Sequence, residues 1–205
     1  MTNARQHVNS DVVRSLDIRS YYSSSSSRRV FWFFNNVLQC ERDIAALLTA
    51  LATLDGRLPT GSPLSPILSF YAHFDMWQEI ARLVRAQGCT LTVYIDDLTI
   101  SGKNVPERLL WDVKRSIHRF GLHYHKEKYY CAGTKEVTGV IIRDGGLTLP
   151  NRQHLKIHQL RQSLQIENDP SERDALRGKL RGCLAQANQI ATENLREGGS
   201  PRINH

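Results

Sequence analysis

The stretch "LTVYIDDLTISG", Leu91 to Gly102, places two runs of β-favouring residues on either side of two adjacent aspartates, Asp96 and Asp97. Charged residues are disfavoured inside strands. The pair therefore indicates either a solvated hairpin turn or a site that needs negative charge on a rigid scaffold. An isolated pair of aspartates is more often a solvated turn, so the choice depends on the rest of the chain.

A second aspartate in a similar setting favours the site. The segment "DVVRSLDI", Asp11 to Ile18, predicts a strand with Asp17 near its end. If that strand lies beside the hairpin, carboxylates from both approach closely, which is costly unless a cation neutralises them. Hard divalent cations such as Mg²⁺ prefer carboxylate oxygens, and two of them can clamp the attacking and leaving oxygens of a phosphoryl transfer.

Composition bounds the class of protein. The chain has 205 residues, 40% of them apolar, which suits one large domain or a domain with an appendage. Its net charge of +7 favours polyanionic partners, nucleic acid first. No apolar run is long enough for a bilayer, the N-terminus lacks an apolar signal segment, and the four cysteines form no CxxC pair. These features predict a cytoplasmic protein that makes no membrane contact.

Periodicity predicts mixed α/β structure followed by helices. Ile44, Leu47, Leu48 and Leu51 have amphipathic-helix spacing, whereas the serine run 23–27 predicts a short exposed turn. Two further helices are predicted, one over 65–88 capped by Ser65 and one over 106–121. Short strands follow over 122–149, with a turn at 144–146. Two helices are predicted after Pro150, and the second starts with a capping box at Ser171 and Asp174. The predicted boundary lies near Pro150.

Five motifs occur in the order of reverse-transcriptase palm motifs: "LDIRSYYSS", "GRLPTGSPLSPILS", "VYIDDLTISG", "GLHYHKEK" and "EVTGVIIRDGGLTLP". Two shorter elements, "NARQH" (Asn3 to His7) and "VTG" (Val137 to Gly139), resemble those of the bacterial retron branch. The chain thus resembles retron-type reverse transcriptases over nearly its whole length. The resemblance implies an α+β fold, with a palm of antiparallel sheet and packed helices plus residual fingers elements over 1–150, and a helical thumb over 151–205.

The resemblance also implies a metal site. Asp17 and Asp96 would ligate two Mg²⁺ ions, Asp97 would assist, and the backbone carbonyl of Ile18 would complete the shell. These residues would be the catalytic set.

Further roles follow from the same motifs. Tyr22 matches the aromatic residue that excludes the ribose 2′-hydroxyl, although a core aromatic is the alternative. Gly61 and Pro63 would shape the loop under template and nucleotide, and Tyr94 would pack beneath the primer end. Lys128 matches a lysine near the triphosphate, although a solvated strand charge is the alternative. Nucleic acid would contact basic residues of the predicted thumb: Arg152, Lys156, Arg161, Arg173, Arg177, Lys179 and Arg181.

The implied activity is RNA-directed DNA polymerisation, in which a primer 3′-hydroxyl attacks the α-phosphate of a dNTP and pyrophosphate leaves. In retrons the primer is a 2′-hydroxyl of a structured non-coding RNA, the product is a branched RNA–DNA hybrid, and the system defends against phage. The implied partners are that RNA, the DNA product and dNTPs, with a separate fingers polypeptide or a retron effector as further partners.

Three departures from the family pattern keep alternatives open. Thr60 replaces the glutamine that supports the dNTP, Ile95 replaces the usual alanine before the aspartates, and the chain starts at the "NARQH" element without the upstream fingers. One alternative is a non-catalytic remnant that only binds nucleic acid. Another is a metal-dependent phosphoesterase, which accounts for the aspartates but not for the "LPTGSP" loop or the thumb.

Overall fold

Four antiparallel strands form the sheet that carries the aspartates. The structure is a computed structural model that describes residues 2–196. The strands are β1 (Val12–Ile18), β2 (Thr90–Tyr94), β3 (Asp97–Gly102) and β4 (Tyr124–Cys131), and they lie in the order β2-β3-β1-β4. This sheet and the helices between residues 10 and 131 make one compact unit.

One face of this sheet is covered by two helices, α6 (Phe74–Ala86) and α7 (Glu107–Arg119). Their apolar side chains form the main core with Leu16, Ile18 and Leu98. Because successive strand residues point to opposite faces, Asp17 and Asp97 lie on the other face. The core therefore fixes the sheet from one side and leaves the carboxylates on the opposite side.

The segment between β1 and α6 forms a second, smaller core and contains α2 (Tyr21–Ser24), α3 (Ser27–Trp32), a π-helical turn (Phe33–Val37), α4 (Arg42–Ala52) and α5 (Ser65–Ala72). The prediction of an exposed serine turn is wrong. Ser25 is fully buried, and its hydroxyl donates a hydrogen bond to the Tyr21 carbonyl at 2.8 Å. A small hydroxyl that bonds the preceding turn fits where a larger side chain would not.

The predicted helix over 65–88 is two helices that meet at His73, whose φ of −116° and ψ of 26° interrupt the helical path. The His73 ring is buried edge-on against Tyr21, with centroids 5.9 Å apart. Ser65 is not the cap, because its hydroxyl donates to the Pro59 carbonyl at 2.6 Å. Tertiary contacts thus override the local helix signals.

Helix α4 forms where predicted, but its apolar stripe is exposed. Leu47 and Leu51 are 57% and 76% exposed, whereas Ala45 and Thr49 are buried. Small side chains allow this helix to approach its neighbours closely. Periodicity identified the helix and not the face that packs.

The second compact unit contains residues 2–9 and 132–196. Its sheet has the order β5-β6-β7, and its elements are α1 (Thr2–Arg5), β5 (Lys135–Val137), β6 (Val140–Arg143), β7 (Gly146–Thr148), α8 (Asn151–Ile166) and α9 (Pro170–Arg196). Positive φ values of 50° at Asp144 and 74° at Gly145 make the β6–β7 hairpin loop, as the Asp-Gly signal predicted.

The two units divide between Cys131 and Ala132 rather than near Pro150. A physical reason is that Asn194 of α9 bonds strand β7, accepting from the Leu147 N–H at 3.1 Å and donating to its carbonyl at 2.8 Å. The small sheet therefore belongs with the helices that follow it. The assignment of 151–205 to a functional thumb domain stays a prediction, and its residues 197–205 lie outside the described residues.

The start of α9 also differs from the prediction. Asp169, and not the proposed box of Ser171 and Asp174, satisfies the first turn, because its carboxylate accepts from the Glu172 N–H at 3.1 Å. None of the helices between residues 2 and 196 has both the length and the apolar character needed to cross a membrane.

Candidate active site

The β2–β3 hairpin presents Asp96 at its tip. Tyr94 pairs with Asp97, so Ile95 and Asp96 form a two-residue loop. Ile95 has a positive φ of 59°, whereas the φ of Asp96 lies outside the left-handed region. This is the φ pattern of a type II′ turn. A β-branched residue at positive φ typically costs about 1–3 kcal/mol and persists only where the surroundings impose it. Backbone strain therefore lies directly beside the predicted metal ligand.

Strand β1 places Asp17 directly opposite Asp97 in the antiparallel register. Residues paired in this way share a face, with Cβ atoms about 4.5–5.5 Å apart. The Ile18 N–H donates to the Asp96 carbonyl at 2.9 Å, which ties the hairpin tip to the end of β1. The strands thus bring the segments carrying the three predicted aspartates together at one end of the sheet.

A β-bulge brings His125 to Asp17, a contact that the sequence analysis missed. Asp17 pairs with Lys126 whereas Ile18 pairs with Tyr124, so His125 is the extra residue of β4. Its Nδ1 lies 3.2 Å from Asp17 Oδ1. Bulges re-aim side chains and are frequent beside active sites. Alternation in "LHYHKEK" does not show where an extra residue will be inserted.

Two lysines of β4 lie on the aspartate face. Lys126 is the direct partner of Asp17, and Lys128 is the partner of Ser15. Both lysines are exposed. Lys128 is therefore on the predicted face, but Lys126, which the sequence analysis did not select, is the lysine nearer to Asp17 in the register. The sequence did not show that Lys126 directly follows the bulged residue His125.

Tyr22 lies near the hairpin tip. Its neighbour Tyr21 is buried, donates to the Ser69 carbonyl at 2.9 Å and accepts from the Trp77 indole at 3.1 Å, which anchors α2. Burial raises the pKa of the half-buried Tyr22, and the nearby Asp96 carboxylate and Tyr94 phenol raise it further. Tyr22 also packs against both cores. Tyr22 is thus a partly packed aromatic residue, and the Asp96 carboxylate affects the pKa of its hydroxyl.

Other predicted contact residues are more peripheral. Tyr94 is 57% exposed at the end of β2. Gly61 and Pro63 are exposed on the loop between α4 and α5, where Gly61 has a φ of 95° that favours glycine. Thr60 is exposed on the same loop. The substrate-binding roles of these residues stay predictions.

The donor set suits a hard divalent cation, since it consists of carboxylate oxygens and one backbone carbonyl. Like charges directly opposite each other, as at Asp17 and Asp97, are unfavourable without compensation. The His125 ring contacts Asp17, and Lys126 is the partner of Asp17 in the strand register. Within residues 2–196, no three His, Cys, Asp or Glu side chains are arranged as a preformed metal site. The chemistry of the residues fits Mg²⁺, and their role as ligands stays a prediction.

The predicted nucleic-acid contacts of the second unit lie on α8 and α9. Six of the seven basic side chains are exposed, and Arg173 is partly buried with a bond to the Glu167 carbonyl at 2.6 Å. Arg177 pairs with Asp174 at 3.1 Å, and Arg152 pairs with Glu136. Such exposed pairs are weak. The basic side chains therefore remain accessible to phosphates.

Sequence comparison finds similarity to retron reverse transcriptases. The chain is 24% identical over 205 residues to the retron Se72 enzyme of Salmonella heidelberg (strain 579083-10), covering 93% of this chain and 54% of the relative. It is 29% identical over 218 residues to the Myxococcus xanthus retron Mx65 enzyme, covering 94% and 49%, and 28% identical over 150 residues to the Escherichia coli retron Ec86 enzyme, covering 69% and 46%. No protein-family model matches the chain.

Comparison with solved structures bears on the fold alone. An apo telomerase from Candida tropicalis, truncated from the C-terminal domain, superposes with a TM-score of 0.52 at 11% identity, covering 72% of this chain and 37% of the telomerase. The predicted α+β fold and the predicted similarity to retron reverse transcriptases are both confirmed. The chain spans about half the length of the curated relatives that it matches.

Proposed function

We propose that this retron reverse-transcriptase-like chain is an RNA-directed DNA polymerase that copies a structured non-coding RNA. The observation that carries the proposal is the pairing of Asp17 with Asp97 beside the strained hairpin tip at Asp96. The reaction forms a bond between a primer hydroxyl oxygen and the α-phosphorus of a dNTP. The bond from that phosphorus to the pyrophosphate oxygen breaks, and pyrophosphate leaves.

The carboxylates have the first role. Asp17, Asp96 and Asp97, with the Ile18 carbonyl, would hold two Mg²⁺ ions. Bound ions of this kind neutralise charge on the transferring phosphate and on the attacking and leaving oxygens. His125 would then serve to orient Asp17 through its contact at 3.2 Å. Lys126 and Lys128, on the same face, would attract the triphosphate.

The partners proposed are the RNA template and primer, the DNA product and dNTPs. A separate polypeptide that supplies fingers follows from the family resemblance alone. A retron effector and a role in anti-phage defence follow from the family alone.

Templated extension tests the proposal. A labelled DNA primer annealed to RNA should be extended by this chain, supplied with the fingers segment of a retron relative, Mg²⁺ and dNTPs, and the product sequence should be complementary to the RNA. Products that do not follow the template would contradict the assignment. Release of phosphate from nucleotides without extension would instead support the phosphoesterase.

The position of Tyr22 leads to a prediction about the selection of dNTPs over rNTPs. If its ring excludes the 2′-hydroxyl, Tyr22→Ala should raise use of rNTPs relative to dNTPs by about 10-fold, the effect of roughly one lost steric contact of 1.4 kcal/mol. Single-nucleotide incorporation with each sugar measures the ratio, and Tyr22→Phe is the matched control because it keeps the ring. An unchanged ratio would make Tyr22 a core aromatic only.

A second candidate function is nucleic-acid binding without catalysis. The exposed basic side chains of α8 and α9 favour it independently of the aspartates. If they bind phosphates, RNA affinity should fall steeply with salt, because each neutralised phosphate releases condensed counterions. Replacing Lys179 and Arg181 with Gln should make the plot of log affinity against log salt less steep, by about 1.4 for a single strand.

A mobility-shift titration at several salt concentrations makes this measurement. The neighbouring non-coding RNA and a scrambled RNA of equal length provide the comparison for specificity. Tight binding without any extension would favour the remnant over the polymerase. Undetectable binding of either RNA at low salt would reject both functions.

A further inference from the structure

An exposed tryptophan lies between two arginines on the outer face of α7. Trp111 is 58% exposed, whereas Trp77 is 4% exposed. Arg108 precedes it by three residues and Arg115 follows it by four, so the three side chains share one helix face. Singly exposed apolar side chains are common, so the two flanking arginines, and not the exposure of the ring alone, make this face a candidate binding surface.

This face points away from the predicted active site. The opposite side of α7, formed by Leu109, Leu110, Val113 and Ile117, is buried in the main core under the sheet. Asp17 and Asp97 lie on the other face of that sheet, because they alternate with the core residues Leu16 and Leu98. The outer face of α7 is therefore a separate surface, and its role does not depend on the proposed polymerase activity.

The electrostatics of the face leave its cations available. Arg108 and Arg115 are 88% and 67% exposed. Both contact the Asp112 carboxylate, at 3.7 and 3.4 Å, which are long distances for an ion pair. Glu107 pairs with Arg14 instead. Each guanidinium carries five N–H donors, so most donors of Arg108 and Arg115 remain for another acceptor.

The ring is placed for stacking. The Arg115 guanidinium carbon lies 5.1 Å from the centroid of Trp111, a cation–π distance. Arginine beside an exposed aromatic ring is the pairing that proteins use to bind unpaired bases and the phosphates that join them. Arg108 and Arg115 are separated by about 10 Å along the axis, which brackets the ring with positive charge.

We propose that the Arg108–Trp111–Arg115 face binds a single-stranded polynucleotide, with a base stacked on Trp111 and neighbouring phosphates on the two arginines. Charge complementarity favours this occupant over a protein. Contiguous apolar patches mark protein contact sites, and the exposed Leu47 and Leu51 of α4 lie one helical turn apart, whereas the outer face of α7 presents one ring between two cations. RNA and DNA share the chemistry required, so the experiment distinguishes them.

The test uses the full chain with fluorescein-labelled oligo(dT) and oligo(U) of equal length, followed by anisotropy. Trp111→Ala should weaken binding by about 10-fold, whereas Trp111→Phe should retain most of it because a ring remains. Arg108→Gln with Arg115→Gln should make the plot of log affinity against log salt less steep, by about 1.4. The matched control, Arg42→Gln with Arg85→Gln, removes the same charge from exposed helix positions and should leave Trp111 stacking intact.

Ultraviolet crosslinking locates the contact, and the labelled oligonucleotide should attach to the peptide that contains Trp111. An effect on one oligonucleotide alone supports the proposal and identifies the strand. Unchanged affinity of Trp111→Ala for both oligonucleotides would overturn it. A loss of self-association in that variant, with oligonucleotide binding intact, would also overturn it by showing that the face contacts a second copy.

Discussion

Asp96→Asn is expected to lower templated primer extension by at least about 10³-fold, the rate equivalent of several kcal/mol of lost transition-state stabilisation. A neutral amide is a much poorer ligand for Mg²⁺ than a carboxylate. The substitution leaves the hairpin intact, because the contact that ties its tip to β1 is made by the Asp96 backbone carbonyl. Single-turnover extension on an RNA template measures the rate.

Asp55→Asn is the matched control for this prediction. Asp55 is exposed on a turn with a φ of 50°, a conformation that asparagine tolerates. The control variant should extend primers at the parental rate. Extension by Asp96→Asn that matches the control would remove the metal assignment, and loss in both variants would indicate a general effect of charge.

Stability is expected to fall on acidification because of His73. Its ring is buried, and neither ring nitrogen has a hydrogen-bond partner within residues 2–196. The pKa of His73 is lowered to about 4, mainly by burial and to a lesser extent by the nearby Arg29, while Asp75 opposes the shift. Between pH 6.5 and 4 the unfolded chain binds the proton and the folded chain does not. The free energy of unfolding therefore keeps its full value above pH 6.5. Acidification towards pH 4 lowers it by up to about 3 kcal/mol through His73.

His73→Phe should flatten this part of the pH dependence, since the ring still fills the site beside Tyr21 but cannot be protonated. Urea unfolding at a series of pH values gives the free energies. His158→Phe, at an exposed position of α8, is the matched control and should keep the parental slope. His7 is also buried with a pKa lowered to about 4, so some slope should remain. A His73→Phe profile parallel to the parent would contradict the account.

The sequence predicted the elements that local signals define. The Asp-Asp hairpin, helix α7 and the Asp144–Gly145 turn all form, because alternation, amphipathic spacing and turn chemistry act over a few residues. The position of Asp17 near the end of a strand was also predicted, whereas its pairing with Asp97 is set by the strand register.

Features that depend on tertiary contacts were missed. The break at His73 arises from packing against Tyr21, and the burial of Ala45 in place of Leu47 depends on the neighbouring helices. The bulge that re-aims His125 is set by the register between distant strands. Only the strand register shows that Lys126 is the partner of Asp17, and the role of Lys128 near the triphosphate stays a prediction.

The central claim is that Asp17, Asp96 and Asp97 hold two divalent ions at the reacting phosphate. The direct measurement is a count of bound Mn²⁺, a substitute for Mg²⁺ at oxygen-rich sites. Electron paramagnetic resonance can count it in a complex of the chain, an RNA template, a dideoxy-terminated primer and a dNTP. The account predicts two Mn²⁺ per complex for the parent and for Asp55→Asn, and fewer for Asp17→Asn and Asp96→Asn. An unchanged number of ions in both of the latter variants would contradict it.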